Sequence, residues 1–307
     1  GSYLLEQFSG IPTNVFYASE FRYSPPPLLP NTLTIGVTQS GETADTLAAL
    51  SMEIKRREIH FDKAFHPNLV AITNRVESSI TRQISNIIDI SAGIEIGVAA
   101  TKTFFGQLLS FYGLAITFAQ IKKSKSNQDI NQLISDLSKL PPILEELVVS
   151  HNLISEKLAH DFSDIKDVIF LGRGINYPIA LEGALKLKEI SYIHAAGYPA
   201  GEMKHGPIAL LEKKVPVISI ATPGQVFEKV ISNAQEAKAR DSLLIGIAPE
   251  CEGTEIFDYL MPLPVSNEWL SPLIAVIPLQ LLSYHIAAHR GLDVDQPRNL
   301  AKSVTVE

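Results

Sequence analysis

A single cysteine, Cys251, in 307 residues excludes an intrachain disulfide and a cysteine-based metal cluster. That scarcity fits a reducing compartment, and the start shows no signal-peptide pattern, so the expected location is the cytoplasm. Positive charge is also in the minority: 26 Lys and Arg stand against 33 Asp and Glu, a formal net charge of -7. Nucleic-acid backbones and anionic lipid surfaces are repelled overall, so neither is an expected partner, whereas a small anion needs only a local site. No apolar run is read as reaching the roughly 18 uncharged residues that a membrane span requires. No Walker pattern occurs, and no glycine fingerprint follows the first strand, which argues against a nucleotide-binding protein. His285 and His289 form an i, i+4 pair, but Ile286 stands where a zinc protease has its Glu and no third ligand is evident. They are read as helix surface or packing, and no metal or cofactor is expected.

What is present is apolar substance: 46% of residues are hydrophobic, and the length suits two domains. The chain is organised around Thr34-Ile-Gly-Val-Thr-Gln-Ser-Gly-Glu-Thr-Ala-Asp-Thr46. Leu33, Ile35 and Val37 read as a strand that stops at Thr38. Gln39, Ser40 and Gly41 make a turn, and Ala44, Leu47, Ala48 and Leu50 set a helical period. Such a turn lies at a helix N-terminus, where unpaired backbone N–H groups and the positive dipole end favour an anion. The hydroxyls of Thr38, Ser40 and Thr43 add donors, and Gly41 allows close backbone approach. The plainer alternative is a helix simply capped by Ser40.

Around this stretch the chain alternates strands and helices, as a parallel α/β sheet does. Residues 3–8 read as a helix, Asn14 to Tyr17 as a strand, Pro25 to Pro27 as a surface loop, and Leu69 to Thr73 and Ile87 to Ile90 as buried strands. A long helix follows through Phe104, Leu108, Leu109, Tyr112 and Ile116, and then two amphipathic helices, Ile130 to Leu137 and Pro142 to Leu158. The plan restarts with a strand over Asp167 to Leu171, a helix over Pro178 to Ile193, and strands at Val215 to Ile218, Leu243 to Ile247 and Tyr259 to Leu263. The repeat is one of architecture, not of sequence. Boundaries are expected at 1–125 for the first domain, 126–165 for a helical linker, 166–290 for the second domain and 291–307 for an irregular tail.

Two further groups carry chemistry. Glu182, Lys186 and Glu189 are spaced to share a helix face, while Leu181, Leu185 and Ile190 cover another arc, so the charges are either a solvated stripe or a tuned acid–base cluster. Gly201-Glu-Met-Lys-His-Gly-Pro207 places Glu202, Lys204 and His205 in a glycine-bracketed loop, where His205 is a candidate acid or base or plain surface.

Thr38 to Thr46, Glu95-Ile-Gly-Val-Ala99, Ala180 to Ile190, Gly201 to Pro207 and Asp295 to Glu307 together resemble the glucosamine-6-phosphate synthase (glutamine:fructose-6-phosphate amidotransferase) family over nearly the whole chain. The resemblance covers that family's isomerase part, two sugar isomerase (SIS) domains of α/β class. Each is a parallel sheet flanked by helices in a flavodoxin-like three-layer sandwich. It implies a ketose–aldose isomerase acting between fructosimine 6-phosphate and glucosamine 6-phosphate, in hexosamine and UDP-GlcNAc biosynthesis, without metal or cofactor. By the same resemblance Thr38, Gln39, Ser40 and Thr43 hold the phosphate of fructose 6-phosphate, and Glu189 moves the proton between C1 and C2. Lys186 assists at the hydroxyls, and His205 opens the ring from the partner subunit of a homodimer. Lys302 forms a Schiff base, and Val98 and Ala301 touch the sugar. Thr38 and Ala100 stand where Ser is common in the family. The family's glutaminase domain and the first strand of its isomerase part, with a Cys-Gly-Thr-Ser turn, have no counterpart here, so glutamine hydrolysis is not expected. The rival readings are a sugar-phosphate sensor, which needs no base, and a deglycase-type enzyme.

Overall fold

The computed structural model describes residues 1–303; the last four residues of the tail read above lie outside them. The chain divides into two compact units, Gly1–Ile130 joined by the segment from Ala301, and Asn131–Leu300.

In the first unit, α1 (Ser2–Ser9) ends on Gly10, whose left-handed φ of 65° closes the helix, and α2 (Ala18–Phe21) follows. Then come β1 (Leu33–Val37), α3 (Ala44–Glu58), β2 (Asn68–Thr73), α4 (Ser79–Gln83), β3 (Ile87–Asp89) and α5 (Lys102–Lys122). The three strands form a parallel sheet in the order β1-β2-β3, with Ile35 opposite Val70 and Ile72 opposite Ile88. Leu50, Leu69, Ala71, Ile80 and Ile84 fill its core. A buried ion pair fastens α3: Arg57 Nε donates to Glu53 at 2.5 Å, while its Nη1 reaches the carbonyls of Leu29 and Phe65.

α6 (Asn127–Ser138) carries the chain into the second unit, and α7 (Leu140–Ala159) opens with two prolines, whose missing N–H groups fall where a helix has no acceptors to offer. β4 (Asp167–Gly172), α8 (Tyr177–Ser191), β5 (His194–Pro199), β6 (Val217–Ile220), α9 (Phe227–Lys238), β7 (Leu244–Ala248), β8 (Tyr259–Pro262) and α10 (Ser271–His289) follow. This sheet is parallel throughout, in the order β5-β4-β6-β7-β8, the doubly wound flavodoxin-like arrangement. α10 packs against α7 and α8.

Two expectations need correction. Asn14 to Tyr17 is not a strand; Val15 and Tyr17 are 77% and 82% exposed. An extended segment counts as a strand only when a neighbour takes its backbone hydrogen bonds, and this one has none among the described residues. The second concerns long apolar runs: Lys102–Lys122 and Glu268–His289 are both long and apolar enough to cross a membrane. Scattered Gln, Ser, Thr and Tyr disguise these runs, yet neither contains an acidic or basic residue between Thr103 and Ile121 or between Trp269 and His289, histidine aside. The second span is 72% buried, as befits a core helix.

Candidate active site

In the first unit the polypeptide leaves β1 at Val37 and makes a tight turn before α3. Thr38 is buried; its N–H donates to Ile72 O and its hydroxyl lies 2.9 Å from that of Thr43. The Gly41 N–H donates to Thr38 Oγ1 and the Glu42 N–H to Ser40 Oγ, so the side chains of the turn fold its own backbone. Gly41 is irreplaceable here: its φ is +69°, and a Cβ would sit 1.9 Å from Ser78 Oγ. The helix begins at Ala44 with Thr43 in the N-cap position, so Ser40 is not its cap. Gln39 is pinned through its carbonyl by Asn74 N–H and the Thr73 hydroxyl, leaving its amide unengaged in any hydrogen bond among the described residues. The Glu42 carboxyl is held below its ordinary range, chiefly by hydrogen bonds from Ser79, which outweigh desolvation, with lesser help from Arg82 and Arg75.

The tail closes on this turn. Ser303 Oγ lies 3.1 Å from Ser40 Oγ, and Lys302 Nζ donates to Glu95 Oε2 at 3.0 Å and to Gly97 O at 2.5 Å. Lys302, Ser40 and the backbone beside Val98 are thereby brought together. The Glu95 side chain is 5% exposed and also accepts from the N–H groups of Thr101 and Thr103 and from both their hydroxyls. Burial pushes its pKa up, but these donors outweigh burial and hold the carboxyl below its ordinary value. Glu95 opens the Glu95–Ala99 motif, and nothing in the sequence marks it as a partner of Lys302. Its partner lies 207 residues away in the chain, and nothing local signals that contact.

In the second unit α8 inverts its apparent amphipathicity. Glu182 and Lys186 are buried, whereas Leu181 and Leu185 are 40% and 43% exposed. Lys186 Nζ donates to Glu189 Oε2 at 2.6 Å and lies 3.5 Å from Glu182 Oε1. Desolvation raises the Glu182 pKa; Lys186 opposes the shift and Glu189 adds to it. The charges are therefore a cluster in which Glu182 and Lys186 are buried and Glu189 half-buried, and not a solvated stripe.

The loop after β5 is a 3₁₀ helix, Ala200–His205, anchored by fully buried Met203. Lys204 pairs with Glu236 at 2.7 Å, while His205 is exposed and makes no hydrogen bond or ion pair among the described residues. Ala301 is exposed and Val98 half-buried. His285 Nε2 meets Asn152 Oδ1 at 2.9 Å and His289 Nε2 meets Ser163 Oγ at 3.0 Å, so each has its own partner.

The SIS domain family matches residues 1–117 and 161–290. The chain is 65% identical to an isomerizing glutamine–fructose-6-phosphate aminotransferase of Thermosynechococcus vestitus, and 48% identical to one of Methanosarcina acetivorans. All of the chain aligns in both comparisons, covering 49% and 48% of those proteins, so it spans about half the length of its curated relatives. Among solved structures, the C-terminal domain of a glucosamine-fructose-6-phosphate aminotransferase from Francisella tularensis superposes with a TM-score of 0.89 at 37% identity, over 96% of this chain and 81% of that one. A glucosamine-6-phosphate deaminase from Thermotoga maritima gives 0.77 at 25% identity, over 99% and 85%.

Proposed function

The chain belongs to the SIS domain family, and from that membership we propose that it is the isomerase part of a glucosamine-6-phosphate synthase, binding fructose 6-phosphate and interconverting fructosimine 6-phosphate and glucosamine 6-phosphate. The observation that carries this reading is the fold of the tail onto the phosphate-type turn, with Ser303 on Ser40 and Lys302 ordered by Glu95 and Gly97. A sensor would need the turn, but a tail lysine seated beside it suits a carbonyl substrate.

In this reading the phosphate lies at the N-terminus of α3, held by the hydroxyls of Thr38, Ser40 and Thr43 and the amide of Gln39. Binding would exchange the Ser40–Ser303 contact for one to a phosphate oxygen. Lys302 supplies a primary amine to the C2 ketone, with Val98 and Ala301 beside the sugar. Glu189 takes the proton from one of C1 and C2 and returns it to the other. Lys186, 2.6 Å from it, hydrogen-bonds the Glu189 carboxylate and handles protons at neighbouring hydroxyls. His205, free of partners within its own unit, serves ring opening in the site of a partner subunit.

The test is interconversion of fructose 6-phosphate and glucose 6-phosphate by the purified chain, beside Glu189→Gln and Lys302→Ala, with circular dichroism on each. Turnover by the parent chain and its loss by roughly a hundredfold or more in folded Glu189→Gln is expected. Binding without turnover in the parent chain would leave the sensor reading standing, and release of ammonia from glucosamine 6-phosphate would favour a deaminase.

A further inference from the structure

A buried carboxylate with no assigned task stands against the tail lysine. Glu95 would normally incur a large desolvation cost, and the cost is met locally: Thr101 and Thr103 N–H groups at the start of α5 donate to Oε1, and the Thr103 hydroxyl to Oε2. These donors come from Glu95's own neighbourhood and not from the tail, so they orient the carboxylate toward the lysine nitrogen. Burial raises the Glu95 pKa, but these donors together with the Lys302 hydrogen bond outweigh it and favour the ionised form, which makes Glu95 a poor proton acceptor. It therefore suits a fixed counter-ion and not a base.

We propose that Glu95 is the positioning residue for the imine chemistry of Lys302: it holds the amine beside the Thr38–Thr43 turn and balances the positive charge that the nitrogen carries as a protonated imine. The inference rests on the reading of Lys302 as the residue that condenses with the sugar ketone.

The chemistry needs such a partner at two stages. As an ammonium, Lys302 uses two of its three N–H bonds on Glu95 and Gly97 O, which aims the nitrogen. After releasing one proton to solvent, the nitrogen adds its lone pair to C2. The carbonyl oxygen then takes one proton from that nitrogen and one from solvent and leaves as water, and the nitrogen keeps a single proton and a positive charge. That cation draws electrons from C2 and makes it open to attack by an incoming amine. Its one N–H can keep one of the two acceptors, and the carboxylate is the stronger.

The experiment is reductive trapping. The full chain is incubated with fructose 6-phosphate and cyanoborohydride, which reduces protonated imines, and the adduct at Lys302 is followed by peptide mass. Trapping by the parent chain and none by Lys302→Ala is expected. In Glu95→Gln the adduct forms roughly a hundredfold more slowly, while calorimetric affinity for fructose 6-phosphate stays within about threefold, a split that a merely structural role would not produce. Glu95→Asp, which keeps the charge on a shorter arm, falls between the two and decides the matter if Glu95→Gln does not fold. Trapping at the parental rate in either folded variant, or parallel loss of affinity and adduct, overturns the proposal. Absence of adduct in the parent chain overturns the imine reading itself, and this inference with it.

Discussion

Burying an ammonium costs several kcal/mol unless carboxylates accompany it, and beside Lys186 lie buried Glu182 and half-buried Glu189. Glu189 satisfies the cation at 2.6 Å; Glu182, at 3.5 Å and with Oε1 making no hydrogen bond, brings more negative charge than the single ammonium balances. Desolvation raises the Glu182 pKa in spite of Lys186, and the neighbouring Glu189 charge adds to the shift. A carboxyl whose folded pKa lies above its unfolded value stabilises the fold below the unfolded value. That contribution is lost as pH rises through the folded pKa. Glu182→Gln removes the titration, so its melting temperature should match the parent's more closely near pH 4 and exceed it increasingly as pH rises, by a few degrees for a gain on the order of 1 kcal/mol. Thermal melts from pH 4 to 8 check this, and a difference that does not grow with pH refutes it. The spacing of Glu182, Lys186 and Glu189 was legible in the sequence, but its burial was not. A period of 3.6 identifies a face without saying what covers it, and here exposed Leu181 and Leu185 occupy the arc that composition alone assigns to the core.

α8 can carry that cluster only because of Gly183. A Cβ there would lie 2.9 Å from Leu279 Cδ1 and 3.0 Å from Phe170 Cε1, and both side chains are at most 1% exposed, so neither has space to retreat into. Gly183→Ala gains about 1 kcal/mol of helix propensity but loses about 1 to 3 kcal/mol by overpacking. The expected outcome is a net loss of stability together with reduced isomerase turnover, because the helix that shifts also bears Lys186 and Glu189. Denaturant titration and turnover measured side by side check it; greater stability with unchanged turnover would show that α8 has slack. In the second sheet β5, an edge strand of His, Ala, Gly, Tyr and Pro that is only partly buried, went unread because its sequence is not a continuous apolar run, whereas the other four strands, β4, β6, β7 and β8, were legible to within about two residues as apolar runs. Asn14 to Tyr17 looked the same for a different reason. It follows α1 as β5 follows α8, but β5 pairs with β4, and the first unit has no equivalent of β4 among its described residues. Propensity was read correctly there, and pairing, which no local pattern reports, was missing.

Taken unit by unit, the described residues form one sheet of five strands and one of three, and the difference falls at β1. β6, its counterpart by position before a helix, is paired on both sides and fully buried, whereas β1 is paired on one side only among the described residues and leaves Leu33 and Val37 each 37% exposed. Amides of β1 should accordingly exchange with solvent through openings of lower free energy than those of β6, and comparable protection would mean that another segment covers the edge. His205 bears on assembly: it is exposed and without a partner in its own unit, as a residue destined for a neighbouring subunit would be. Chains carrying His205→Ala and chains carrying Glu189→Gln, each inactive alone, distinguish the possibilities when unfolded together and refolded. If His205 crosses, a mixed dimer has one site with both residues intact and one with neither, and since random pairing makes half of all dimers mixed, about a quarter of parental activity should return. If His205 serves its own chain, every site lacks one residue and no activity returns. Sedimentation of the mixture establishes that dimers have formed, so that zero activity in a dimeric sample rules out the crossed arrangement.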